Sequence, residues 1–227
     1  MEKRTIRVTG KGKISVEPDL TIVSVGISGK EKEYSETMKK SVKMTTVLKE
    51  LFSEVGIDQA DVKTTSFGIE KAYKAVEEHD TGGIPDFLRN KKKKFDGYRF
   101  DHKVKVEFDS DNELLGRILY KLGHSKLNPV FDIAYSIKDK EAAKNRLLEE
   151  AIADSKEKAK IIAKAAGINL GEIVEVDYSW GELQFFRSTV DMLEAYDCYD
   201  EDESYPMDIN PEDITAEDTV TVVWSIS

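Results

Sequence analysis

At 227 residues, with 40% hydrophobic and 34% charged side chains, the chain has an ordinary globular composition. It is long enough for one large domain or two joined ones, and such a chain buries roughly 70% of its unfolded surface. A net charge of -10 argues against a general nucleic-acid binder, and the single cysteine, Cys198, excludes an internal disulfide and a cysteine-rich zinc site.

No apolar run reaches the ~18 to 20 residues of a membrane span. Met1, Glu2, Lys3 and Arg4 lead directly into Thr5 with no apolar leader core. The expectation is therefore a cytoplasmic protein, or a periplasmic one if a leader has been removed. Residues 5–16 predict a hairpin, with Ile6/Val8 and Ile14/Val16 alternating around Gly10-Lys11-Gly12. Those glycines mark a turn or a bulge where side chains do not fit. After Pro18-Asp19, residues 20–27 are almost continuously apolar, as in a strand covered on both faces.

Ser28, Gly29, Lys30 and Glu31 have capping-box spacing and predict the start of a long helix. Its stripe is Tyr34, Met38, Ser41/Val42, Thr45, Leu48, Leu51/Phe52 and Val55, and Gly56-Ile57 ends it. Residues 64–76 and 98–108 then predict a long hairpin. Tyr98, Phe100, Val104, Val106 and Phe108 alternate cleanly, with His102 on the same face. The charged loop between them, 77–97, carries Lys91, Lys92, Lys93 and Lys94. It reads as a solvated mobile loop, with contact to an anionic partner as the alternative.

Ser110 to Glu113 again has capping-box spacing and opens a shorter helix carrying Leu114/Leu115, Ile118/Leu119 and Leu122, stopped at Gly123. A strand follows over 127–137, with Phe131, Ile133, Tyr135 and Ile137 on one face. From Asp139 a second long helix runs to Gly167, its stripe read as Leu148, Ile152, Ser155, Ala159, Ile162 and Ala166. Gly167-Ile168 repeats the earlier stop at Gly56-Ile57. A strand over 173–186 carries Val174, Val176, Tyr178, Trp180, Leu183 and Phe185. An acidic loop, 188–218, precedes a last strand over 219–226, with Val220, Val222, Trp224 and Ile226 aligned and expected to pair with an earlier strand.

Together these elements predict an α+β fold, a largely antiparallel sheet packed against two long helices and one shorter helix. It forms a single domain over 1–227, or two intimately joined halves at about 1–109 and 110–227.

Little in the chain announces chemistry. His79, His102 and His124 lack the spacing of a helical metal pair. His102 reads as a strand residue, and His124 as a cation suited to the end of a helix. Cys198 lies among Asp197, Asp200 and Glu201, which would raise its thiol pKa. No G-x-S-x-G elbow is present, and Gly10-Lys11-Gly12 lacks what a phosphate cradle requires. No catalytic residue and no cofactor is expected. For metal, Asp200, Glu201, Asp202 and Glu203 could gather a hard cation such as calcium, but the EF-hand pattern is missing and a solvated acidic loop is the favoured reading.

The order of several weak motifs resembles the SIMPL-domain family. They are Ile6-Arg7-Val8-Thr9-Gly10-Lys11-Gly12, Pro18-Asp19, Gly56-Ile57 before Asp61-Val62-Lys63-Thr64-Thr65, Gly97-Tyr98-Arg99, Ala165-Ala166-Gly167-Ile168-Asn169-Leu170-Gly171 and Val220-Thr221-Val222. That family includes bacterial periplasmic immunogenic and stress-defence proteins and an animal kinase-associated relative. The resemblance implies an α+β fold with no catalytic residues to carry over, and a role in interaction linked to stress protection. The expected function is a non-enzymatic assembly or interaction protein, a homo-oligomer joined through exposed strand edges. The alternative is a cation-binding or anionic-partner-binding module using the charged loops, and a cryptic enzyme ranks third.

Overall fold

The computed structural model describes residues 4–76, 92–178, 185–188 and 208–227. They form an α+β fold with two antiparallel sheets and three helices among the described residues. The chain divides into two units that interleave along the sequence. One comprises Met1–Thr21, Ala134–Ser188 and Asn210–Ser227; the other comprises Ile22–Ile133 and Thr189–Ile209.

The first unit is organised around β8 (Ile214–Ile226), the middle strand of a three-stranded sheet. Its neighbours are β1 (Thr5–Val16) and β6 (Leu170–Asp177). Residues 5–16 are thus one straight strand rather than a hairpin, antiparallel to β8 in unbroken register from Thr5↔Ser225 to Val16↔Ile214. The two glycines serve a different need. A Cβ on Gly10 would lie 1.9 Å from the Ala151 carbonyl oxygen, and one on Gly12 would lie 2.1 Å from that of Leu147. Side chains do not fit there because a helix backbone occupies the space.

That helix is α3 (Lys140–Ala166). The Asp139 carboxylate caps it by accepting from the Ala142 N–H, and Gly167, at φ +66°, ends it. The Ile168 N–H reaches back to Ala163, the bond expected of a Schellman stop. Its buried stripe is Ala143, Leu147, Ala151, Ser155, Ala159 and Ala163, an unbroken four-residue step. The larger apolar residues read from the sequence are displaced from it. Leu148 and Ile152 are only partly buried, and Ile162 is 44% exposed. Small side chains win the inner face because only they let the helix axis approach β1 this closely.

β6 begins three residues earlier than expected and stops at Asp177. Trp180 and Leu183 lie outside the described residues, while Phe185 is buried and its carbonyl accepts from Ser136 Oγ at 2.6 Å. The short β7 (Phe186–Ser188) then pairs with the end of β5 (Val130–Ser136), Ala134 opposite Ser188.

In the second unit the strands lie in the order β3-β4-β2-β5, where β2 is Leu20–Glu31, β3 Lys63–Val76 and β4 Lys92–Asp109. Val23, Val25 and Ile27 are fully buried and their alternates partly so, which matches an apolar run covered well on one face and less on the other. The strand continues through Ser28 to Glu31, in place of the expected capping box, and α1 (Tyr34–Glu54) starts only after it. Glu33 stands at the cap without a side-chain bond to the helix. Sheet pairing overrides the local signal: the Gly97 backbone packs against the Glu31 carbonyl, and Asp96 grips Lys30 and Lys32 at 2.5 and 2.8 Å.

α1 buries Thr37, Ser41, Leu48 and Phe52, while Tyr34 and Val42 from the expected stripe are more than half exposed. Gly56, at φ +96°, stops it as predicted. β4 begins earlier than the expected loop allowed. Lys92, Lys93 and Lys94 are strand residues opposite Val76, Ala75 and Lys74. The ladder extends because Tyr73 and Phe95 meet across the strands with ring centroids 6.2 Å apart. α2 (Asn112–Gly123) is capped by Asp111, not Ser110: its carboxylate accepts from Glu113 and Leu114 N–H groups at 2.9 and 3.0 Å.

Candidate functional site

In the first unit the two outer strands of the three-stranded sheet end in different ways. On β1 the odd residues turn their backbone groups outward, and α3 meets them. The Lys11 N–H donates to Asp154 Oδ2 at 2.7 Å and the Lys13 N–H to Glu150 Oε2 at 3.4 Å. Lys158 Nζ reaches the Thr9 carbonyl at 3.5 Å and also pairs with Asp154 at 2.7 Å. The match is metric. Four residues of helix rise about 6 Å and two residues of strand about 6.6 Å, so helix positions 150, 154 and 158 step in phase with strand positions 13, 11 and 9. Lys158, and next the Lys11 amide, hold Asp154 below the usual carboxylate range, so it stays a charged acceptor.

Among the described residues the opposite edge is open. β6 pairs with β8 on one side, and among the described residues no hydrogen bond reaches its other side. Ile173, Val174 and Val176 are 47%, 47% and 48% exposed there. Three β-branched apolar residues, interleaved with Glu172, Glu175 and Asp177, on an edge without a strand partner among the described residues form a template for another strand. Tyr178, at its end, is tied down by donating to Asp218 Oδ2 at 2.8 Å, and burial with that carboxylate pushes its pKa up to about 12.

The titratable candidates read from the sequence are held in structural bonds or lie beyond the described residues. Asp200, Glu201, Asp202, Glu203, Cys198 and His79 are in the latter group. Among the described residues, no three His, Cys, Asp or Glu side chains are grouped to hold a metal ion. His124 closes α2, its Nδ1 2.9 Å from the Tyr120 carbonyl and its ring 4.1 Å from that of Tyr120.

His102 lies half-buried between two threonines. Thr45 Oγ1 spends its proton on the Ser41 carbonyl, so His102 Nδ1 donates to Thr45 and Nε2 accepts from Thr64, at 2.9 and 3.0 Å. Burial, and then Lys49, lower its pKa from the ordinary 6.5. A histidine lowered on folding takes up its proton more readily when unfolded, so its contribution is intact above 6.5 and is lost as pH falls through the folded value. We therefore expect the stability difference between wild type and His102→Gln to shrink as pH falls from 7 towards 5. Urea melts across that range check this, and a constant difference would refute it.

A family model named SIMPL, described as a protein of unknown function, matches residues 6–224. Over 174 residues the chain is 27% identical to the "26 kDa periplasmic immunogenic protein" of Brucella melitensis biotype 1, and equally to that of Brucella abortus strain S19. The alignments cover 75% of this chain and 65% of each relative, so the chain spans about two thirds of the length of the curated relatives it matches.

Proposed function

The chain belongs to the SIMPL family, and from that premise we propose that it is an assembly protein rather than a catalyst, joining copies of itself edge to edge through β6. One observation supports this reading most directly. The sheet closes its β1 edge with three helix side chains, yet leaves β6 with half-exposed Ile173, Val174 and Val176 and no partner among the described residues. Proteins that avoid edge pairing cover or charge their edges; β6 is uncovered among the described residues, and its only charges, Glu172, Glu175 and Asp177, are interleaved with the apolar residues. Adding a strand to β6 would supply main-chain hydrogen bonds to the open edge and cover its apolar side chains. The reading also takes the periplasm in the relatives' names as the working compartment, in place of the cytoplasm expected from the first residues.

Sedimentation velocity over a wide concentration range tests the assembly. The wild-type chain is expected to associate. The Val174→Lys/Val176→Lys variant is expected to hold together at least about tenfold more weakly, with unchanged circular dichroism, because lysines on an edge oppose pairing. A wild type that stays monomeric throughout, or a variant that associates equally well, would refute it.

A further inference from the structure

The second unit contains a groove of about 1140 Å³ that the assembly reading does not use. One wall is a face of α1 from Glu36 to Leu51; opposite lie the end of β2 and the turn after α2, residues 125–128. Fifteen helical steps make that wall about 22 Å long. Its apolar residues are Met44, Val47 and Leu51, at three- and four-residue steps, joined by Leu127 from the turn.

The charges are not evenly matched. Four lysines and two glutamates line the groove, a local +2 on a chain whose net charge is -10. Lys39 is paired with Glu36 at 2.9 Å and Lys40 with Glu31 at 2.6 Å. Lys43 and Lys126 are exposed and form no ion pair among the described residues.

We propose that this groove docks an acidic amphipathic helix of a partner protein, its apolar stripe on Met44, Val47, Leu51 and Leu127 and its carboxylates on Lys43 and Lys126. An open trough the length of four helical turns, larger than the usual ~300 to 1000 Å³ of small-molecule sites, suits a helix better than an enclosed ligand. The apolar spacing along α1 is the one a facing helix reads, and the unpaired ammonium groups select the sign of its flanks.

Fluorescence anisotropy on the full chain with labelled peptides of about 16 residues tests this. One peptide carries leucines at i, i+3, i+4 and i+7 with glutamate flanks. A second has the same composition with the leucines scattered, and a third replaces the glutamates by lysines. The first is expected to bind at least about tenfold more tightly than the others, and Lys43→Glu/Lys126→Glu to weaken it by a similar factor while leaving circular dichroism unchanged. Equal binding of all three, no binding of the first, or no effect of the double variant would overturn the proposal. So would saturable binding of laurate with none of the peptides, which would assign the groove to small amphiphiles. The β6 edge takes no part, so sedimentation and anisotropy can fail independently.

Discussion

Gly10→Ala is expected to destabilise the protein by about 3 kcal/mol or more, a large share of a typical total of about 5–15 kcal/mol. The new methyl group would meet the Ala151 carbonyl oxygen at 1.9 Å, the Ser155 nitrogen at 2.6 Å and Ser155 Cβ at 2.7 Å. None of these is the far end of a flexible side chain, so relief requires moving the axis of α3. Moving α3 also lengthens the bonds that Glu150, Asp154 and Lys158 make to the β1 edge, because the three lie along the same helix. Gly12→Ala should cost a similar amount, against the Leu147 carbonyl.

The double variant should cost clearly less than the sum, since one displacement of α3 accommodates both methyl groups. Gly68→Ala in β3 is the control: a methyl group there would find nothing within 4 Å, so its effect should be within about 1 kcal/mol. Urea titrations of the wild type and the four variants decide the matter. A Gly10→Ala loss no larger than that of Gly68→Ala would show that β1 and α3 are not packed this closely in solution.

These glycines also show what the sequence could and could not convey. Gly-x-Gly between alternating apolar residues reads as a turn, and whether it is one depends on a helix that lies far along the chain. The same limit explains Ser28 to Glu31, where capping-box spacing lost to the contact of Gly97 and Asp96 with the end of β2. Signals that need only their own neighbours were legible. Gly56-Ile57 and Gly167-Ile168 end helices in the left-handed conformation, and Val220, Val222 and Trp224 are buried together on β8 as their alternation required. Pairing of β8 with an earlier strand was legible too, but not its place between β1 and β6, since register with a distant strand leaves no local mark. Nor did exposed strand edges, expected in general, reveal which edge α3 covers.

The face of α3 is the sharpest of these cases, and Leu147→Ala against Ile162→Ala separates the two possible faces. Hydrophobicity favours the side bearing Leu148, Ile152 and Ile162, yet Leu147 is the fully buried one, packed with Ile14, Ile137, Ala143, Phe185 and Ile214. Its truncation should cost about 2–5 kcal/mol, from lost burial and the cavity left behind. Ile162, 44% exposed, should cost about 0.5 kcal/mol or less. If the larger stripe were the core, the order would reverse and the sealed β1 edge would be lost with it, because turning α3 to bury Ile162 swings Glu150, Asp154 and Lys158 away from Lys13, Lys11 and Thr9. Leu147→Ala therefore probes more than packing. It weakens the seating of α3 at a cluster that contains no β6 residue, so a variant that still folds should keep the proposed β6-dependent association and gain a second, β1-dependent one that appears in sedimentation as larger species.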